Sequence, residues 1–281
     1  MSNEPEVEKA LPEVSERDAT REIARIYRDI RTLSGVPMVA LIWRHLATVP
    51  GVLPAVWDVL GPLFRQGALQ QAAWSAAVTS AEPAKLAIAG LSDADRAAVQ
   101  RVLDAYNRAN PVNFVAVRVL LHSANGPGAR VACVRAVPAA RTFVPPQPIA
   151  DLPPMVAPAT IPAELRELID GLSTDSRVDR SRIVPSLYRH LVGWPELLRE
   201  IYGALVPRLR NGEIVSVVRE IASAMDDEAK TLASGLPALV ILDRHPEVRE
   251  TLDRFSLLIP EMVAIGLLLR RGLDERLSGR Q

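Results

Sequence analysis

The stretch SLYRHLVGWP, residues 186–195, restates a stretch that runs 145 residues earlier as IWRHLATVP, residues 42–50. Trp43-Arg44-His45-Leu46 aligns with Tyr188-Arg189-His190-Leu191, and Pro50 aligns with Pro195. The same spacing of 145 relates Pro62 and Gly67, in GPLFRQGAL, to Pro207 and Gly212, in VPRLRNGEI. Further on, VLDAYNRANPVNFVAVRVLL (residues 102–121) aligns with TLDRFSLLIPEMVAIGLLLR (residues 251–270) at a spacing of 149, so the second copy carries a net insertion of four residues. Self-similarity at a fixed spacing marks a repeated structural unit.

What kind of unit is read from the periodicity. Apolar residues recur at helical spacing in REIARIYRDIRTL (21–33) and DADRAAVQRVLDAYNRA (93–109), and with aromatics at only 4% the signals for strands are scarce. The class is all-α. Ser92 and Asp93 offer an N-cap before Ala94, and Gly90 and Gly235 read as helix stops. Between Ala136 and Pro162 the chain carries prolines at 138, 145, 146, 148, 153, 154, 158 and 162, a density no helix or central strand tolerates. The expected organisation is therefore an N-terminus over 1–17 that frays, a helical repeat over 18–135, a Pro-rich linker over 136–162 and a second repeat over 163–276. Two tandem copies bury their shared apolar face most economically by packing as an intramolecular pseudo-dimer, and the crevice between them is the natural ligand site.

Composition narrows the function classes. Lys and Arg total 33 against 33 Asp and Glu, so no net field draws in nucleic acid or an anionic membrane. The single cysteine, Cys133, excludes an internal disulfide and offers no metal-ligand spacing. The N-terminal MSNEPEVEKALPEVSERD lacks the apolar core of a signal peptide, and the apolar run MVAIGLLL (262–269) is short of the roughly 20 residues a bilayer needs. A cytoplasmic protein fits these features, and a homodimer is compatible with them.

Taken together and in this order, VPMVALIWRHLATVPGVLP (36–54), RVLDAYNRANP (101–111) and LVGWPELL (191–198) resemble the group I 2-haloacid dehalogenases, which act on both enantiomers of their substrates. The resemblance spans most of the chain. It implies an all-α pseudo-dimer with the active site between repeats, no cofactor, and a small organic acid as substrate. It implies direct hydrolysis, in which an aspartate deprotonates a water that displaces halide from the α-carbon with inversion, while an asparagine helps hold that water.

The asparagine of the family's NP motif falls on Asn110. Its amide is either a ligand for water or substrate or, with Pro111 at the first helical position, an N-cap for the helix through Val119. The family's aspartate, seven residues before the Trp of the WP motif, falls on Leu187, which cannot accept a proton. Loss of a positioned general base typically costs about 10²–10⁴ in rate. Met38 and Leu41 stand where the family's pocket carries aromatics. Ser186 keeps the family's serine, whose hydroxyl could meet a carboxylate.

His190 lies one helical turn from Leu187, and with its counterpart His45 it could supply a base across the crevice; the plainer reading is that RHL packs alike in both copies. Arg44 and Arg189 are candidates for holding a carboxylate against a default surface role. Asp104 and Arg108 read as a surface ion pair, and Asp175 and Asp179 as helix-start acids that could reach the crevice. The functional readings are a divergent hydrolase using Asn110 and His190, a small-carboxylate binder without turnover, or a helical interaction protein on the same scaffold.

Overall fold

The computed structural model describes residues 11–79, 90–124, 143–173 and 183–278. Among them the regular elements are all helical: α1 Arg21–Ser34, α2 Leu41–Leu46, α3 Val52–Arg65, α4 Ala68–Thr79, α5 Asp93–Ala124, α6 Ala163–Gly171, α7 Ser186–Leu191, α8 Pro195–Arg210, α9 Glu213–Ala233, α10 Ile241–Arg244 and α11 Pro246–Ser278. The short α2 and α7 begin 145 residues apart and have the same length, as the quoted stretches suggest. Gly235 follows the end of α9 as read, the residues before Gly90 lie outside the described residues, and Ser92 caps α5 by accepting the Asp95 N–H at 3.1 Å. No helix among the described residues is long and apolar enough to cross a membrane.

Two long helices organise the molecule. α5 and α11 share the largest helix–helix contact, and each runs through an internal proline, Pro111 and Pro260. The expectation of a helix starting at Asn110 and Pro111 is corrected here, because α5 is one continuous helix of 32 residues and Asn110 lies inside it. A mid-helix proline costs about 3 kcal/mol. Burial on both sides outweighs that cost. Val99, Val102 and Leu103 are sealed in one apolar cluster, and Val112, Val115, Val119 and Leu120 in another, at roughly 1.5–3 kcal/mol for each large side chain fully buried.

The two clusters do not follow the sequence repeats. One joins α1 to α4 with α9, α10, the C-terminal half of α5 and the N-terminal half of α11. The other joins α6 to α8 with the N-terminal half of α5 and the C-terminal half of α11. Each half of the chain thus lends part of its long helix to the other half's core.

Two segments read as a tail and a linker make specific contacts with the helices. Residues 11–17, expected to fray, lie against α2 and α1: the Val14 N–H donates to the Arg44 carbonyl at 2.9 Å, the Tyr27 hydroxyl donates to the Val14 carbonyl at 3.0 Å, and Glu13 pairs with Arg44 at 3.0 Å. Residues 1–10 lie outside the described residues. The described part of the Pro-rich segment, from Phe143, is extended and pinned at intervals. Ile149 N–H donates to the Gly35 carbonyl at 3.1 Å, and the Arg108 guanidinium donates to the carbonyls of Gly35 and Gln147 at 2.9 and 2.7 Å. Gly35 both ends α1 at φ 63° and admits this segment, since a Cβ there would lie 2.8 Å from the Pro146 carbonyl oxygen. The expected Asp104–Arg108 surface pair does not form, because Asp104 instead meets Arg270 of α11 at 2.6 Å.

Candidate functional site

A cavity of about 530 Å³ opens where α2, α5, α7, α11 and the pinned segment meet. Its wall includes Met38, Leu41, Asn110, Ser186, Leu187 and His190, six of the positions singled out from sequence. The pinned segment contributes Asp151, Leu152, Pro153 and Met155, so the connection between the halves is itself part of the site.

The lining draws on positions that correspond between the halves, yet their chemistry differs. On α5 the wall is Tyr106, Asn110 and Asn113; the positions 149 residues later, on α11, are Phe255, Ile259 and Met262. At a spacing of 145, Leu41 corresponds to Ser186. Of these corresponding positions the polar ones lie on α5 and α7, and the α11 wall is apolar. Asn113 and Tyr106 were not singled out from sequence, although each shares a helix face with Asn110 at i+3 and i−4.

The polar groups are held in defined states. The Trp43 indole N–H donates to Asn113 Oδ1 at 2.8 Å, and since indole only donates, the amide orientation follows and its NH₂ is the remaining donor. Burial raises the Tyr106 hydroxyl above its ordinary pKa, against the fields of Arg189 and Arg44 and a hydrogen bond with Ser186, so the phenol stays neutral. The Tyr106 and His190 rings meet edge to face, with centroids 5.7 Å apart. Burial pushes His190 down to about 4, with the Arg189 charge adding to the effect and a hydrogen bond to the Pro153 backbone opposing it. At neutral pH the imidazole is uncharged, and it is a weaker base than one tuned near 7. Its Nδ1 is buried without a hydrogen-bond partner among the described residues.

His45 is not brought to face His190. It is absent from the cavity wall, and its Nδ1 lies 2.8 Å from the Pro12 carbonyl oxygen, so the two-histidine arrangement is corrected to a single cavity histidine. The two arginines also separate. Arg189 is buried, donating to the Val156 carbonyl at 2.9 Å and so fixing the far end of the pinned segment, which corrects its default surface role. Arg44 lines the cavity with one edge on Glu13 and its Nε buried without a partner.

Leu187 is 1% exposed on the cavity wall. The carboxylates that reach the wall are Glu16 and Asp151, on segments read as a tail and a linker, and nothing in their spacing announced them. Glu16 is committed to Arg31 at 2.8 Å and to the Val39 N–H at 3.3 Å. Asp175 and Asp179 lie outside the described residues.

No family model matches the chain. It is 27% identical, over 273 residues covering 90% of this chain and 84% of the other, to a configuration-inverting 2-haloacid dehalogenase of Alcaligenes xylosoxydans xylosoxydans. Among solved structures it superposes on a D-2-haloacid dehalogenase mutant in complex with D-2-CPA at a TM-score of 0.63 and 19% identity, covering 96% of each chain. The complex of a D-2-haloacid dehalogenase with L-LA gives 0.63 and 18% over the same shares. These likenesses do not single out the subtype that acts on both enantiomers. The chain is thus similar in sequence over nine-tenths of its length to a 2-haloacid dehalogenase, and it shares the fold of the D-2-haloacid dehalogenase structures over nearly all of it.

Proposed function

We propose that the cavity binds a small 2-halocarboxylic acid and that the chain is a dehalogenase-type hydrolase working without its general base. The observation that carries this reading is the gathering of Asn110, Ser186, Leu187, Met38 and Leu41, the family's motif positions, on one cavity wall. In direct hydrolysis the water oxygen bonds to the α-carbon as the carbon–halogen bond breaks, halide leaves with the bonding pair, and the water's proton passes to a base. In this reading Asn110 holds the water. Leu187 cannot take the proton and His190, at a pKa of about 4, takes it poorly, so it passes to solvent water and turnover is slow.

The two halves are read as tandem repeats forming a pseudo-dimer, supported by the paired spacings of their helices. A site built from corresponding positions of both halves is also the arrangement that would present water to either enantiomer, as in the group I subtype. The second reading, a carboxylate binder without turnover, is favoured by the full burial of Leu187 at the position of the base.

Halide release from racemic 2-chloropropionate and 2-bromopropionate, measured for the wild type beside Leu187→Asp, tests the proposal. The variant should exceed the wild type by about 10²–10⁴, the usual worth of a positioned base. Burying a carboxylate is itself costly, so circular dichroism accompanies the assay. A folded variant that releases no halide would refute the hydrolase reading.

A further inference from the structure

The cavity is larger and more apolar than a three-carbon haloacid requires. Such an acid, with six non-hydrogen atoms, takes up the space of roughly five waters at about 30 Å³ each, under a third of the 530 Å³ present. That volume falls within the range of pockets that enclose drug-sized ligands. The wall that would be left unfilled is made of Met38, Leu41, Phe255, Leu258, Ile259 and Met262. Phe255, Leu258, Ile259 and Met262 are already nearly buried, so the gain from a longer acid lies in its own methylenes, worth about 0.8 kcal/mol each on leaving water.

The charge on the wall is equally informative. With His190 neutral, Arg44 is the cation among the described lining residues; Glu13 holds its Nη2 at 3.0 Å, and Glu16 and Asp151 are the carboxylates on the same wall. One guanidinium edge complements one carboxylate. The neighbouring Tyr106 and Ser186 hydroxyls, already hydrogen-bonded together, lie within the field of Arg44 and offer further polar contacts.

Resting on the carboxylate reading above, we infer that the ligand is a monocarboxylic acid of about six to ten carbons, with its carboxylate on Arg44 and its chain along the α11 wall. The residues that set chain length are Leu258, Ile259 and Met262, none of which lies on the motifs that carry the family resemblance.

Isothermal titration calorimetry of the wild type with propionate, hexanoate and octanoate, and with their 2-bromo counterparts, tests this. Affinity should rise about fourfold per methylene in both series. Arg44→Gln should weaken every member by a similar factor, and Leu258→Phe should weaken only the longer ones. Equal affinity for the three-carbon and eight-carbon acids would overturn the inference while leaving the haloacid reading in place. Octylamine or octanol binding as tightly as octanoate would overturn the assignment of the carboxylate to Arg44. If no acid binds, the inference and the carboxylate reading fall together. Graded binding with no halide release from wild type or Leu187→Asp would support the inference and remove only the hydrolysis.

Discussion

Residue 187 and residue 190 were read from the same six letters, SLYRHL, with different success. The leucine was legible because a side chain without a proton acceptor has one meaning wherever it lies. The histidine was not, because its basicity is set by neighbours that sequence does not reveal: burial and Arg189 hold it near 4, with only the Pro153 backbone opposing. That depression has a consequence for stability. The unfolded chain binds a proton near pH 6.5 that the folded chain refuses until about 4, so stability from this group is fully present above 6.5 and is lost as pH falls through that window. The loss should reach up to about 3 kcal/mol by pH 4. Urea unfolding at a series of pH values should show it, and His190→Leu should flatten the curve between 6.5 and 4. Burial alone would raise Asp226, but hydrogen bonds from Arg118, His122 and Lys230 outweigh it and bring the carboxyl to about 2, so its contribution is lost only below the ordinary Asp range. A wild-type curve already flat between 6.5 and 4 would mean that His190 is solvated in the folded protein.

Helix existence was legible, and helix continuity was not. Proline at 111 reads as a boundary because it disfavours a helical residue before it, yet α5 passes through it because both of its halves are buried in different cores. The contact between α5 and α11 that this continuity creates is close. Asn107 Nδ2 donates to the Gly266 carbonyl at 3.0 Å, and a Cβ on Gly266 would sit 2.2 Å from Asn107 Oδ1. Gly266→Ala sets two effects against each other. Alanine favours the helix by about 1 kcal/mol, while displacing Asn107 forfeits a hydrogen bond worth about 0.5–1.5 kcal/mol and adds overpacking. The single variant should be neutral to destabilising by about 1 kcal/mol. In an Asn107→Ala background the clash is gone, and Gly266→Ala should stabilise by about 0.5–1 kcal/mol. A double-mutant cycle in urea measures the difference. Additive effects would show that the helices are not held this close.

At the scale of the whole molecule, the recurrence of motifs at a spacing of 145 was legible in the sequence, but the partition of the core was not. Sequence similarity reports which segments share an ancestor or a pattern, whereas burial depends on where two long helices cross, and each here serves the core of the other half. The cavity follows from that crossing, for its polar wall is on α5 and its apolar wall on α11. It also explains why Asp151 and Glu16 went unread, since segments without periodicity acquire their place only from the helices they lie on. Neither half should then be stable alone. A fragment of residues 1–135 would leave Val99, Val102 and Leu103 without Leu187, Tyr188 and Leu191 around them, and a fragment of 136–281 would leave Val248 and Leu252 without the α1–α4 cluster. Each uncovered large apolar side chain forfeits roughly 1.5–3 kcal/mol, against a total stability of about 5–15 kcal/mol for a typical domain. Expressed separately, the fragments should lack a cooperative thermal transition by near-ultraviolet circular dichroism. Co-expressed, they should assemble and unfold as one unit, as the intact chain should. Two fragments that each unfold cooperatively on their own would show that the shared long helices are dispensable to both cores, and that the cavity is an interface between independent domains.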